Sequence, residues 1–370
     1  MSGYGGQLKG DYSPLDRALH HLAFRSPWLQ RILADLESDI FRGKINSITG
    51  GKEIFVTGLP RSGTTLILNA LYGTGEFASF TYRQMPFLLT PILWHKASNS
   101  FQLSAVCKER AHGDKVSVSF NSPEAFEEAV WLAYMRDRIE TDQYLRTVEA
   151  DGYTHDLAHG LQSTIEKLIV LSEIQNADES RQYRYLSKNN ANVSRLGALR
   201  RLFPDSLILV PFREPAAHVA SLMQQHARFL ERHEDDAFAR HYMRWIGHFE
   251  FGKNLKPINY GNWLENREIH SDMVGQDFWL EYWIRSYRYT LEHLGPWTKL
   301  VDFDALLADG KGMLAKIADL AMVTERERLT ATADTFRAPT TTPIGYDSFS
   351  TDLWQGAVEL HEKLVALAIE

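Results

Sequence analysis

The stretch Glu53–Leu71, EIFVTGLPRSGTTLILNAL, decides the fold. EIFVTG is a short apolar run that ends on glycine, which predicts a buried strand. Residues from Thr64 to Tyr72 predict a helix that stops at Gly73. Between them, Gly58 and Gly63 keep the separation of the phosphate loop G-x-x-x-x-G-K-[ST], but Thr64 stands where the lysine belongs. Backbone N–H groups and a helix N-terminus bind an anion in such loops, and glycines let the chain approach it closely. Those features survive, and the positive charge has moved to Arg61, with the hydroxyls of Ser62, Thr64 and Thr65 around it.

Further units follow the same alternation. YRYLSK reads as a strand ending at Lys188, Ala191 to Phe203 as a helix, SLILVPF as a strand leading into a helix near Pro215, and KLVDF as a last strand. A long helical region is expected from Ala237 to Leu294, with helices from Pro14 to Phe41 and an apolar stripe of Leu353, Ala357, Leu360, Leu364 and Leu367 at the end. Strands alternating with helices imply an α/β fold of P-loop type: three layers, a mainly parallel central sheet, helices on both faces and helical insertions. The expected organisation is one domain over 1–370, with N-terminal helices in 1–50.

Composition narrows the function. With 44% hydrophobic residues in 370, the chain can bury a sizeable core. A net charge of -7 and a pI near 6.1 argue against an extended nucleic-acid face. The single cysteine, Cys107, excludes an intramolecular disulfide and multi-cysteine metal clusters. The first residues lack the apolar centre of a signal peptide, and MPFLLTPILW is too short to span a bilayer, so no membrane anchor and a cytoplasmic location are expected. Aromatics reach 12%, with nine Trp, and many lie in helical-looking segments, which suggests packed helices more than base-stacking platforms. His241, Trp245 and His248, at helical spacing, are likewise read as helix packing rather than a metal or haem site.

PRSGTT at Pro60–Thr65, between a strand and a helix, resembles the 5′-phosphosulfate loop of sulfotransferases that use 3′-phosphoadenosine 5′-phosphosulfate (PAPS). The arginine form looks most like the bacterial and tyrosylprotein branches. A second motif agrees. The donor's 3′-phosphate requires a separate anion site, and in this family it is an arginine at a strand end, a proline, and a serine eight residues after the arginine. VPFREPAAHVASLM supplies Arg213, Pro215 and Ser221 in that arrangement. Arginine and a hydroxyl are suitable donors to a phosphate dianion. The resemblance covers about Glu53–Phe80 and Tyr183–Phe229, with a loose match at VDFDALL. It implies a helical acceptor-binding insertion in 95–180 and a lid loop in 337–350 carrying Tyr346.

The resemblance also assigns chemistry. Cofactor-binding residues would be Arg61, Ser62, Gly63, Thr64, Thr65, Arg213 and Ser221. Arg61 would take the leaving phosphate, and Lys188 the bridging or sulfuryl oxygens, as in tyrosylprotein sulfotransferases, although KNNAN replaces the acidic residue and proline of that branch. No metal is implied. The glutamate base of that branch is absent, with Tyr82 and Arg83 near its position. His112 is the candidate base, since cytosolic members use a histidine and its ordinary pKa suits the task. Glu128 and Glu124 are its rivals. The expected acceptor is a hydroxyl of a small molecule. A small-molecule P-loop kinase and a non-catalytic 3′-phosphoadenosine nucleotide-binding protein are the alternatives.

Overall fold

A computed structural model of the chain describes residues 14–48, 51–98, 108–109, 117–118, 121–176, 181–338 and 340–369. The strands, in chain order, are β1 (Ile54–Val56), β2 (Phe77–Ala78), β3 (Lys108–Glu109), β4 (Ser117–Val118), β5 (Arg184–Lys188), β6 (Leu207–Phe212) and β7 (Thr298–Asp302). β3 and β4 form a separate antiparallel pair. The other five form one parallel sheet in the order β2-β5-β1-β6-β7.

Burial on both faces explains why these strands read as continuous apolar runs. Alternate residues enter opposite layers. Phe55, Tyr185, Ile208, Val210 and Phe212 pack with Trp131, Leu161, Val219 and Tyr287 on one side. Ile54, Val56, Leu186, Leu207 and Leu209 pack with Ile67, Leu71, Leu314 and Ile317 on the other. The layers are therefore helix, sheet and helix, as the α/β reading requires.

Topology also locates the crevice. From β1 the chain goes outward to β2, returns beside β1 as β5, then crosses to β1's other side as β6. Ligands in open parallel sheets bind at the carboxyl ends of strands where the winding reverses in this way. Val56 is level with both Lys188 and Leu209, so the loop after β1 and the end of β5 meet there.

Two helical expectations are corrected. Residues 191–203 are not one helix: a 3-10 turn, Asn190–Ser194, precedes the helix Leu196–Leu202. The side chain of Asn189 accepts the Ala191 N–H at 3.1 Å, the local bond by which Asn competes with helix. The long region 237–294 is also broken. A helix ends at Trp245 and the next begins at Gln276. Between them Gly247 and Gly252 adopt φ of 81° and 65°, in the left-handed region that glycine reaches at little cost.

The N-terminal helices Pro14–Arg25 and Pro27–Ile40 flank the domain. The second is tied down by a buried pair. Lys167 Nζ donates to the Ala34 carbonyl at 2.6 Å and lies 3.9 Å from Glu37, which accepts the Leu93 N–H. Among the described residues, no helix is long and apolar enough to cross a membrane.

Candidate active site

The loop after β1 is held in a conformation its sequence makes possible. Gly58 has φ 148°, and a Cβ there would come within 3.0 Å of the Pro211 carbonyl. Gly63, with φ 102°, starts the helix Thr64–Gly73, and a Cβ would lie 2.3 Å from Phe303 Cδ2. Arg61 adopts φ 72°, a region in which a side chain costs free energy and which clusters at functional sites. Its Nε donates to Ser221 Oγ at 3.1 Å, joining the two sequence motifs. His218 Nε2 donates to the Pro60 carbonyl at 2.9 Å, and Thr64 Oγ1 donates to Asn190 Oδ1 at 3.4 Å.

A cavity of about 660 Å³ opens at the carboxyl ends of β1, β5 and β6. Arg61, Gly63, Thr64, Thr65, Lys188 and Arg213 all line it. Ser62 does not: its side chain is fully buried and turned away from the cavity. Ser221 is also buried outside the lining and reaches the site through Arg61.

Arg213 leaves the end of β6 and is only 5% exposed. Its guanidinium lies 5.5 Å from the centre of the Phe303 ring, and among the described residues its Nε has no hydrogen-bond partner. Burial lowers its pKa, while Asp304 and Glu214 oppose that shift. Such a buried cation suits an anion better than water. Lys188, 7% exposed, lines the wall beside it.

Glu128 is placed elsewhere. It is 1% exposed, does not line the cavity, and takes a bidentate ion pair from Arg195 Nη2 at 3.0 and 2.8 Å. Asn189 Nδ2 adds a third bond at 2.9 Å. Burial raises its carboxyl's pKa, and Arg195 and Asn189 draw it back down. Its neighbour Glu127 accepts from Trp131, Tyr185 and Asn192. Together the two carboxylates brace the turn after Lys188, an arrangement that favours a structural role for Glu128 over that of base. Glu124 accepts the Tyr82 hydroxyl at 2.7 Å and likewise does not line the cavity. His112 lies outside the described residues.

The break between the helices supplies what the motif reading missed. His248 and Glu250, from the break, and His233, from the helix Pro215–Asp235, line the cavity. Glu250 Oε1 accepts Asn190 Nδ2 at 3.0 Å, and among the described residues its Oε2 makes no hydrogen bond. His248 Nε2 donates to the Ala125 carbonyl at 3.1 Å and Trp245 stacks on Phe24, packing contacts of the kind read from helical spacing, while the His248 ring also lines the cavity. Burial, with Arg240, Arg232 and Lys253 nearby, holds His233 down at about 4, so its ring is neutral. Its Nδ1 accepts the Lys253 N–H at 3.1 Å, which leaves the proton on Nε2. The available signal was an acidic residue between two glycines in an otherwise aromatic stretch, GHFEFG at Gly247–Gly252.

The described residues of 95–180 contribute nothing to the cavity wall. From the C-terminal loop, Arg337, Ala338, Thr340 and Thr341 do line it, and Thr341 Oγ1 donates to Gln224 Oε1 at 3.0 Å. Tyr346 instead is 63% exposed and stacks on Trp354.

Sulfotransferase STF9 from Mycobacterium avium superposes with a TM-score of 0.53 at 13% identity, covering 97% of this chain and 87% of that one, a likeness of fold. Sulfotransferase STF1 from Mycobacterium tuberculosis gives 0.47 at 14% identity, over 98% and 89%. No curated protein sequence matches. Residues 53–269 match the sequence model of the sulfotransferase family, a span that holds both anion motifs and Glu250. The chain therefore belongs to the sulfotransferase family, whose members transfer a sulfuryl group from PAPS to an acceptor.

Proposed function

We propose that the protein sulfates a hydroxyl group of a small molecule held in this cavity, with Glu250 as general base. One observation carries the reading: among the described residues, the cations Arg61, Lys188, Arg213, Arg228 and Arg337 and one carboxylate, Glu250, wall a single cavity at the carboxyl ends of the sheet. Arg213 and Ser221 would hold the 3′-phosphate of PAPS. The loop amides, Arg61, Thr64 and Thr65 would hold its 5′-phosphosulfate.

Sulfuryl transfer resembles phosphoryl transfer in needing position and charge stabilisation more than covalent help. The acceptor oxygen attacks sulfur in line, its proton passes to the Glu250 carboxylate, and the bond from sulfur to the 5′-phosphate oxygen breaks. Adenosine 3′,5′-bisphosphate leaves, its growing negative charge met by Arg61 and Lys188. Asn190 orients the base through the bond to Oε1. Phe229, Met243 and Phe251, all buried, face the same cavity and suit an acceptor with an apolar body. The loop 337–350 would close over the nucleotide through the part that runs from Arg337 to Thr341.

Calorimetric titration tests the donor site. The protein should bind adenosine 3′,5′-bisphosphate in preference to ATP with Mg²⁺, and Arg213→Ala should abolish that preference. A preference for Mg-ATP indifferent to Arg213 would replace this reading with the kinase one.

A further inference from the structure

His218 belongs to neither anion motif, yet it touches the centre of the loop. It lies on the helix Pro215–Asp235, five residues after Arg213 and three before Ser221, and is fully buried. Its Nε2 is 2.9 Å from the Pro60 carbonyl. A carbonyl only accepts, so Nε2 carries the proton. Among the described residues the other ring nitrogen has no partner, and the Pro60 contact is the ring's one hydrogen bond.

That contact bears on the next residue. The Pro60 carbonyl and the Arg61 N–H belong to one planar trans peptide, so they point in opposite directions. His218 is buried behind the loop and does not line the cavity, whereas Pro60 and Arg61 do. A carbonyl drawn back onto His218 therefore turns the Arg61 N–H forward. The same anchor holds Arg61 at its φ of 72° against the cost of that conformation. Burial, aided by the charges of Arg213 and Arg61, holds the imidazole down at about 3, so it adds no third positive charge between the two anion sites.

We infer that His218 is a positioning residue whose Nε2–H pins the Pro60 carbonyl and so aims the Arg61 amide at the 5′-phosphosulfate of the donor. This rests on the donor-site reading proposed above. It makes the helix that carries the 3′-phosphate residues also set the shape of the 5′ loop.

Two probes separate the halves of the site: adenosine 3′,5′-bisphosphate, which has both phosphates, and adenosine 3′-monophosphate, which lacks the 5′ one. In His218→Leu, affinity for the bisphosphate should fall roughly tenfold or more, the loss of one N–H bond to a charged group, with the 3′-monophosphate unaffected. His218→Gln, whose terminal amide nitrogen can replace Nε2, should restore the bisphosphate affinity. His218→Asn is too short to reach Pro60 and should not. Because Gln and Asn are both polar and similarly tolerated, this pair decides the matter if the leucine variant misfolds. Equal losses for both nucleotides would mean a purely structural histidine, and unchanged binding in Leu and Asn would mean an idle one. Either result overturns the inference alone. A wild-type protein that binds neither nucleotide would overturn the donor-site reading, and this inference with it.

Discussion

Replacing Glu128 with Gln separates a brace from a base. The carboxylate is 1% exposed and receives three bonds, two from Arg195 at 3.0 and 2.8 Å and one from Asn189 at 2.9 Å. Arg195 is equally buried, with its guanidinium 4.2 Å from the centre of the Trp131 ring. Glu128→Gln leaves that cation without a counter-charge, and breaking one side of a buried pair costs about 3–5 kcal/mol. For a chain of 370 residues the unfolding entropy converts this to a Tm lower by about 4–6 °C. The site is packed as tightly as it is charged: a Cβ on Gly247 would lie 2.3 Å from Glu128 Cγ. Thermal unfolding followed by circular dichroism measures the shift, and sulfuryl transfer per folded molecule is measured below the transition. Adding Arg195→Met should recover part of the loss, because no charge is then buried alone. A Glu128→Gln protein with the wild-type Tm but turnover reduced by ~10²-fold would refute the reasoning and return the residue to catalysis.

Other outcomes follow from the same geometry. Glu250→Gln should lower kcat by ~10²-fold or more for the first hydroxyl acceptor found by screening with labelled PAPS, at unchanged nucleotide affinity, and a kcat near wild type would exclude it as the base. Gly63→Ala must fit a Cβ 2.3 Å from Phe303 at φ 102°, so a cost of about 2–4 kcal/mol and weakened nucleotide binding are expected. Phe303→Ala in the same chain should relieve the steric part but not the backbone part, and a denaturant titration of the set shows whether it does. The pair Glu37 and Lys167 makes stability depend on pH. Burial raises Glu37 to about 7, so its protonated form stabilises the fold at low pH and that contribution is lost as pH rises toward 7. Burial lowers Lys167 to about 8, so its charged form penalises the fold below that pH and the penalty fades as pH rises through 8 toward 10.5. The pair's contribution is thus least favourable between about pH 7 and 8, and the double variant Glu37→Gln/Lys167→Met should gain most against wild type there; a Tm difference flat from pH 5 to 9.5 would contradict this.

Local chemistry was enough for the sheet and for the donor loop. A strand buried on both faces must be apolar at nearly every position, and a phosphate loop must place glycines where the backbone turns back on itself. Ile54–Val56, Gly58, Gly63, Arg61 and Arg213 therefore announce themselves within a few residues of sequence. Ser62 shows the limit, because a hydroxyl in the right hexapeptide still turned inward. The carboxylate that lines the cavity could not be found this way, since residues such as Glu128 and Glu250 are distinguished only by what surrounds them. Glu128 looked available until the fold brought Arg195 and Asn189 against it. Glu250 looked like one more charge in an aromatic stretch until two left-handed glycines broke the helix and turned it toward Lys188's cavity. By itself the sequence determined the parallel sheet, the two anion motifs and the family, because each depends on neighbours along the chain. Only the tertiary structure decided which carboxylate reaches the cavity and that His218 anchors the loop, because those depend on contacts between residues 60 or more positions apart.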